Sequence, residues 1–260
     1  MFSERPAAAF LIVLAASSCS VKEDRSGCDT FVELDLSKVP YTYLCEEGYD
    51  VLQVNAFSLD KFDNLSLMTE DRVSEAVLRV PRGKAEVSAF CGAEDYYSPE
   101  TGMIIPEGRA SPELYLYHSS LELDGERVRD VVVLRKSFCR LRVHFKNSQD
   151  FGLSVEGNVD GYDLRWRPHE GRFTCAMKRN ADGVYEIVLP RQKDNTLSLN
   201  VIEGRKVIKG FALGKVMAES GYDWDAVELE DIELTVDYAA STAVVNTSLW
   251  KEIREETLVL

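Results

Sequence analysis

The sequence predicts an all-β protein made of two tandem β-sandwich units with few, short helices. Three observations carry this. Apolar and polar residues alternate strictly along many segments, long helical periods are nearly absent, and one strand–turn–strand pattern occurs twice at matched spacing.

The stretch before Cys19 reads as an export signal. Ala7 to Ala16 is an unbroken apolar run, long enough for a signal-peptide core and too short to span a bilayer. Ala16-Ser17-Ser18-Cys19 then places small residues before a cysteine. A lipoprotein signal peptidase needs this arrangement: small side chains fit its site, and the thiol carries the diacylglycerol. Residues 1–18 therefore read as a lipoprotein signal peptide cut between Ser18 and Cys19. The box is loose, because Leu14 lies five positions before the cysteine. The alternative is an ordinary secretory signal with a chance cysteine. Residues 19–29, rich in charge, read as a lipidated flexible lead-in. Several acyl chains on Cys19 would hold the protein stably, where one alone binds marginally.

The first unit is expected over residues 30–135. "FVELDL", Phe31 to Leu36, sets Val32, Leu34 and Leu36 against Glu33 and Asp35. The second unit is expected over residues 136–260. "CRLRVHF", Cys139 to Phe145, and "DIELTVDY", Asp231 to Tyr238, alternate in the same way. Such segments are strands with one face in a core and one face wet. Gly, Asn and Asp punctuate the gaps, as in "NVDGYD" and "NADGVY". "VPRGKAEVSAF" at Val80 resembles "LPRQKDNTLSLNV" at Leu189, each with Pro-Arg-x-Lys between two strands. Phe31 to Val80 is 49 residues and Leu141 to Leu189 is 48, which points to a duplicated unit. Units of about 110 residues each bury an adequate core. The helix candidates are Tyr222 to Leu229 and Leu249 to Glu255. The tail from Ala239 to Leu260 has no counterpart in the first unit. It reads as a closing hairpin with Trp250 packed down, or as a strand available to another protein.

Charge excludes some classes. The chain carries 30 basic and 44 acidic residues, a net of −14. No Lys/Arg cluster resembles a nucleic-acid footprint, and the field repels phosphate and anionic lipid alike. With Cys19 set aside, Cys28, Cys45, Cys91, Cys139 and Cys175 leave an odd number. Cys91 and Cys139 lie in apolar strand patterns and read as buried hydrophobes. Cys28 and Cys45 are the candidate disulfide of an exported chain.

Motifs of catalysis are missing from the pattern. His118, His144 and His169 lie in separate segments, without metal spacing. No GxSxG or phosphate-binding loop occurs. Acid pairs such as Glu94 with Asp95, or Asp223 with Asp225, are expected in so acidic a chain and carry no glycosidase signal. Tyr96 with Tyr97, and Tyr115 with Tyr117, suit either sugar stacking or strand-face packing. The expectation is a non-enzyme with no cofactor, no metal and no small-molecule substrate.

One stretch is more specific. "CSVKEDRSGCDTFVELDLS", Cys19 to Ser37, resembles the mature start of FimB/Mfa-type minor fimbrial anchor lipoproteins of Bacteroidales, in which a Lys-Glu-Asp-Arg-Ser-Gly-Cys run follows the lipidated cysteine. Lys22 to Cys28 is intact here, although the family often continues Cys-Pro-Cys and this chain reads Cys28-Asp29-Thr30. "GYDWDAVELEDIELTVDY", Gly221 to Tyr238, resembles the family's Trp-containing approach to a late strand, and "KAEVSAFCG", Lys84 to Gly92, is a fainter likeness. The resemblance implies transthyretin-like β-sandwich domains, lipid anchoring at the outer membrane with surface exposure, and a fimbrial stalk subunit as partner. It implies a role in anchoring the fimbria or regulating its length, with subunits joined by β-strand exchange. Lys22, Glu23 and Asp24 after Cys19 also resemble a surface-export signal. Arg25 would suit an Arg-specific protease, but cutting there would free an anchor from its lipid, so it is expected to stay intact. The rival is a surface glycan-binding lipoprotein of the same architecture.

Overall fold

The computed structural model describes residues 28–59, 61–146 and 151–237, and the backbone of two further strands, 242–247 and 256–259. The described residues are all-β, with two short α-helices and one 3-10 turn, Thr69–Asp71.

The first unit runs through β1 (Asp29–Asp35), α1 (Tyr41–Glu46), β2 (Val51–Ser58), β3 (Lys61–Met68), β4 (Glu75–Pro81), β5 (Gly83–Cys91), β6 (Tyr97–Ser98), β7 (Gly102–Ile104), β8 (Tyr115–Leu123), β9 (Arg127–Val131) and β10 (Arg135–Lys136). Two sheets form, ordered β4-β1-β9 and β10-β8-β5-β2-β3. Alternation decides which residues fill the space between them. Val32 and Leu34 of β1, Leu78 and Val80 of β4, Leu52 and Val54 of β2, and Val87 and Ala89 of β5 are all fully buried in one cluster. Phe31, Val77 and Val131 point the other way and stay exposed.

The second unit repeats the plan with β11 (Phe138–Lys146), β12 (Gly152–Tyr162), β13 (Pro168–Ala176), β14 (Lys178–Arg179), β15 (Tyr185–Pro190), β16 (Ser198–Glu203), β17 (Lys206–Phe211), α2 (Leu213–Glu219) and β18 (Ile232–Asp237), followed by β19 (Thr242–Thr247) and β20 (Glu256–Val259). Its sheets run β14-β15-β11-β18-β19-β20 and β17-β16-β12-β7-β6, with β13 also on β12. In both units the first strand lies antiparallel to one neighbour and parallel to the other. β1 pairs Thr30 with Val80 and Val32 with Val128. β11 pairs Cys139 with Leu189 and Leu141 with Ile232. The repeated Pro-Arg turns thus end equivalent strands in equivalent register: Pro81 faces Asp29, and Pro190 faces Phe138.

The cores do not divide where the strands do. After β5 the chain crosses to the second unit. Phe90, Ala93, Met103, Ile105 and Leu114 pack with Leu141, Val155, Phe173 and Trp224 in the second cluster. β7 joins the second unit's sheet, pairing Ile104 with Gly161 and Met103 with Tyr162. The approach is close: a Cβ on Gly161 would lie 2.0 Å from the Met103 carbonyl oxygen, and one on Gly102, at φ +87°, 2.3 Å from that of Tyr162.

Helices differ from expectation. Tyr222–Leu229 is not helical; the helix is α2, just upstream. Gly221, at φ +85°, follows the helix end, and the Tyr222 amide donates back to the Met217 carbonyl (3.0 Å). Beyond it, Asp223 Oδ1 accepts the Asp225 amide at 2.8 Å, a local turn bond that competes with helix. Arg191 donates to the carbonyls of Trp224 and Ala226, fixing the segment as a loop. Leu249–Glu255 and Trp250 lie outside the described residues.

Candidate functional site

Two features distinguish this surface: an uneven treatment of the two equivalent sheet edges, and a polar join between the units.

In the first unit, β9 ends its sheet, and among the described residues no strand pairs with its outer edge. Its side chains make a charged outer face. Arg127 binds Glu33, and Arg129 Nη2 lies 3.6 Å from Asp35 Oδ2. Such charge is a common guard on an edge that presents bare N–H and C=O groups. In the second unit the equivalent strand, β18, is covered. β19 runs antiparallel along it from Ile232↔Thr247 to Asp237↔Thr242, and β20 adds a further strand.

The join is held by rings and by several ion pairs, among them Lys136 with Asp231 (2.6 Å) and Arg135 with Glu228 (3.1 Å). Trp166, at φ +56°, sits at the tip of the β12–β13 hairpin. Its ring stacks on Tyr97 (centroids 5.6 Å apart, 8° between planes) and packs on Phe90 at 4.8 Å. Asp163 secures this turn: its Oδ1 accepts the Arg165 and Arg167 amides, and its Oδ2 binds the Arg167 guanidinium. Burial pushes the Asp163 carboxyl up, yet these bonds outweigh it and leave the group below its ordinary value. On the other side, Arg140 of β11 makes a two-bonded contact with Glu113, at 2.6 Å for both Nε and Nη2. Tyr49 adds its hydroxyl to Glu113 Oε2 at 2.9 Å. Burial raises the Glu113 carboxyl, and the Arg140 and Tyr49 bonds bring it below its ordinary value.

The residues singled out from sequence are scattered. Ser18 and Cys19 lie outside the described residues. Cys28, just before β1, and Cys45, in α1, are exposed thiols with no bond between them in this structure. Cys91 and Cys139 are fully buried, and burial pushes both thiols up to about 12. His118 contacts Glu86 at 2.9 Å and His169 contacts Asp160 at 2.7 Å, while His144 Nε2 has no partner. Among the described residues no group of His, Cys, Asp or Glu could hold a metal. Glu94 binds the Gly92 amide, and Asp223 the Asp225 amide; both serve local turns. Tyr115 and Tyr117 pack on the first core, and Tyr96 and Tyr97 on the second.

Sequence reasoning missed Glu113, Arg140 and Trp166. Glu113 lies in the loop before β8 and Arg140 in β11, and nothing local couples them. The one legible signal for Trp166 was a large ring inside a turn-rich stretch, "DLRWRP".

No protein-family model matches this chain, and no curated protein matches it. Solved structures do resemble it. The fimbrial anchor protein Mfa2 from Porphyromonas gingivalis aligns with 86% of this chain and 98% of its own at a TM-score of 0.56 and 14% identity. A proposed adhesin from Bacteroides ovatus aligns with 91% and 97% at 0.55 and 12% identity. A proposed polysaccharide-binding protein from Bacteroides thetaiotaomicron aligns with 88% and 99% at 0.56 and 12% identity. This chain therefore shares a β-sandwich fold with those proteins over 86–91% of its length.

Proposed function

We propose that this protein is an outer-membrane lipoprotein, exposed at the cell surface, that anchors a fimbria or regulates its length and joins fimbrial stalk subunits by β-strand exchange. The observation that carries the reading is the pair of unequal edges on a fold shared with a fimbrial anchor protein. An edge such as that of β9 can accept a strand, with main-chain hydrogen bonds giving affinity and alternating side chains giving register. The β19–β20 hairpin occupies the place where a donated strand would lie in the other unit. Cys19 carries the lipid, the lead-in to Cys28 spaces the body from the membrane, and no catalysis is required.

Metabolic labelling with an alkyne fatty acid tests the anchor. Label in the wild type, its loss in Cys19→Ala, and digestion of the wild type by external protease would support a surface lipoprotein. Absence of label in the wild type would remove the anchoring mechanism. Pull-downs then test the partner: recovery of a fimbrial subunit is expected, and recovery of none alongside strong glycan binding would favour the second reading. That reading, a surface glycan-binding lipoprotein, draws on the similar structure named for polysaccharide binding.

A further inference from the structure

A cleft of about 510 Å³ opens where the segment following β7 meets the second unit. The volume falls within the usual range of small-ligand sites, about 300–1,000 Å³. One wall is Gly108 to Glu113, without Pro112; the other comes from β11, β15 and the chain from Cys175 to Lys178. The Gly108 amide donates to the Thr174 carbonyl (2.9 Å) and the Ser111 amide to that of Val188 (3.1 Å), so both walls are pinned.

The charge of this cleft runs against that of the molecule. Four cations line it, Arg109, Arg140, Arg142 and Lys178, against two acids, Glu113 and Glu186, in a chain with a net charge of −14. The pairing is uneven. Glu113 takes Arg140, while Glu186 lies 3.2 Å and Glu233 3.8 Å from Arg142. No carboxylate lies within ion-pair distance of Arg109 or Lys178 among the described residues, although Lys178 stands opposite Glu186 in the β14–β15 register and Glu186 is engaged by Arg142. Two unpaired cations on one small cleft favour a carboxylate. Tyr96 is half-buried on the lining, and the Glu186 carboxylate can accept from a hydroxyl group; the Ser111 hydroxyl already donates to the Pro112 carbonyl (3.2 Å) and is left as an acceptor.

We infer that the cleft between the units binds a carboxylated sugar of the hexuronate class, with Arg109 and Lys178 holding its carboxylate and Tyr96 packing on its ring. The site is independent of whether the chain joins a fimbria, and its test uses purified protein alone.

Calorimetric titration of the full chain with glucuronate and galacturonate, with glucose as the neutral control, reads the site. A hexuronate is expected to bind at least tenfold more tightly than glucose. Arg109→Ala combined with Lys178→Ala should weaken it about tenfold or more, each lost charge-assisted contact costing a large factor. Both side chains are exposed, so the fold should survive their removal. Ala176→Trp, which fills the cleft without changing charge, should abolish binding. Failure to bind either hexuronate, equal affinity for glucose, indifference to these variants, or preference for an acidic peptide over the sugars would each overturn the assignment.

Discussion

The two units of this protein are built on one plan and finished differently. β1 and β11 occupy the same place, as do β4 and β15, and β9 and β18. In the second unit the sheet runs on past β18 through β19 and β20; in the first it stops at β9. The first unit also gives up part of its own length, since Met103, Ile105 and Leu114 fill the second core. The repeated plan thus yields one unit whose sheet is extended past the equivalent strand and one whose sheet ends there on a charged strand. Equivalent strands need not do equivalent work, because an edge's role depends on what lies beside it.

The largest expected effect comes from removing that difference. Deleting residues 239–260 bares the β18 edge, and the truncated protein should self-associate in light scattering coupled to size-exclusion chromatography. A synthetic peptide spanning Thr242–Thr247 should return it to monomer. A truncated chain that stays monomeric without peptide would mean that the hairpin does not protect the edge.

Core substitutions probe how far the units depend on each other. Leu34→Ala and Leu141→Ala each empty a fully buried position on a central strand and should cost about 2–5 kcal/mol. Trp166 and Trp224 both lie in the second core, so their fluorescence reports its unfolding. Leu141→Ala should shift that signal strongly in denaturant, and Leu34→Ala less. Equal shifts would make the two cores a single cooperative body.

Gly161→Ala attacks the graft of β7 onto the second sheet. The added Cβ meets the Met103 carbonyl, a backbone atom that cannot swing aside, and a cost of about 1–3 kcal/mol is expected in the same measurement.

The smallest effect concerns the Glu113–Arg140 tie. Both side chains are about a third exposed, at 30% and 35%, so screening holds its worth to about 1 kcal/mol. The sign follows from Glu113 lying below its ordinary 4.5. Its contribution is present above that value and fades as pH falls through the lower, folded value. Arg140→Gln should lower the melting temperature at neutral pH and flatten its fall on acidification; an unchanged acid slope would show that Glu113 is not stabilised by its partner.

Much of the fold was legible in advance. The alternation in "FVELDL" and "CRLRVHF" named two central strands and the faces that bury Val32, Leu34, Leu141 and Val143. The two Pro-Arg turns placed equivalent strand ends at Pro81 and Pro190. Cys91 and Cys139 were recognisable as core residues from their apolar neighbours. Tyr222–Leu229 is a loop rather than a helix because the tertiary partner of its carbonyls, Arg191, lies before β16, β17 and α2 in the chain.

What the sequence determined by itself is therefore the strands, their inward faces and their repetition, since a period of two residues is a local property that side-chain polarity writes directly. Tertiary structure alone decided the crossing of β7, the stacking of Trp166 on Tyr97, the Glu113–Arg140 tie, the cleft beside it and the open edge of β9. Each depends on segments distant in the chain. The sheet pairings among them use backbone hydrogen bonds that nearly every residue type offers alike, so residue identity does not announce which partner a strand takes.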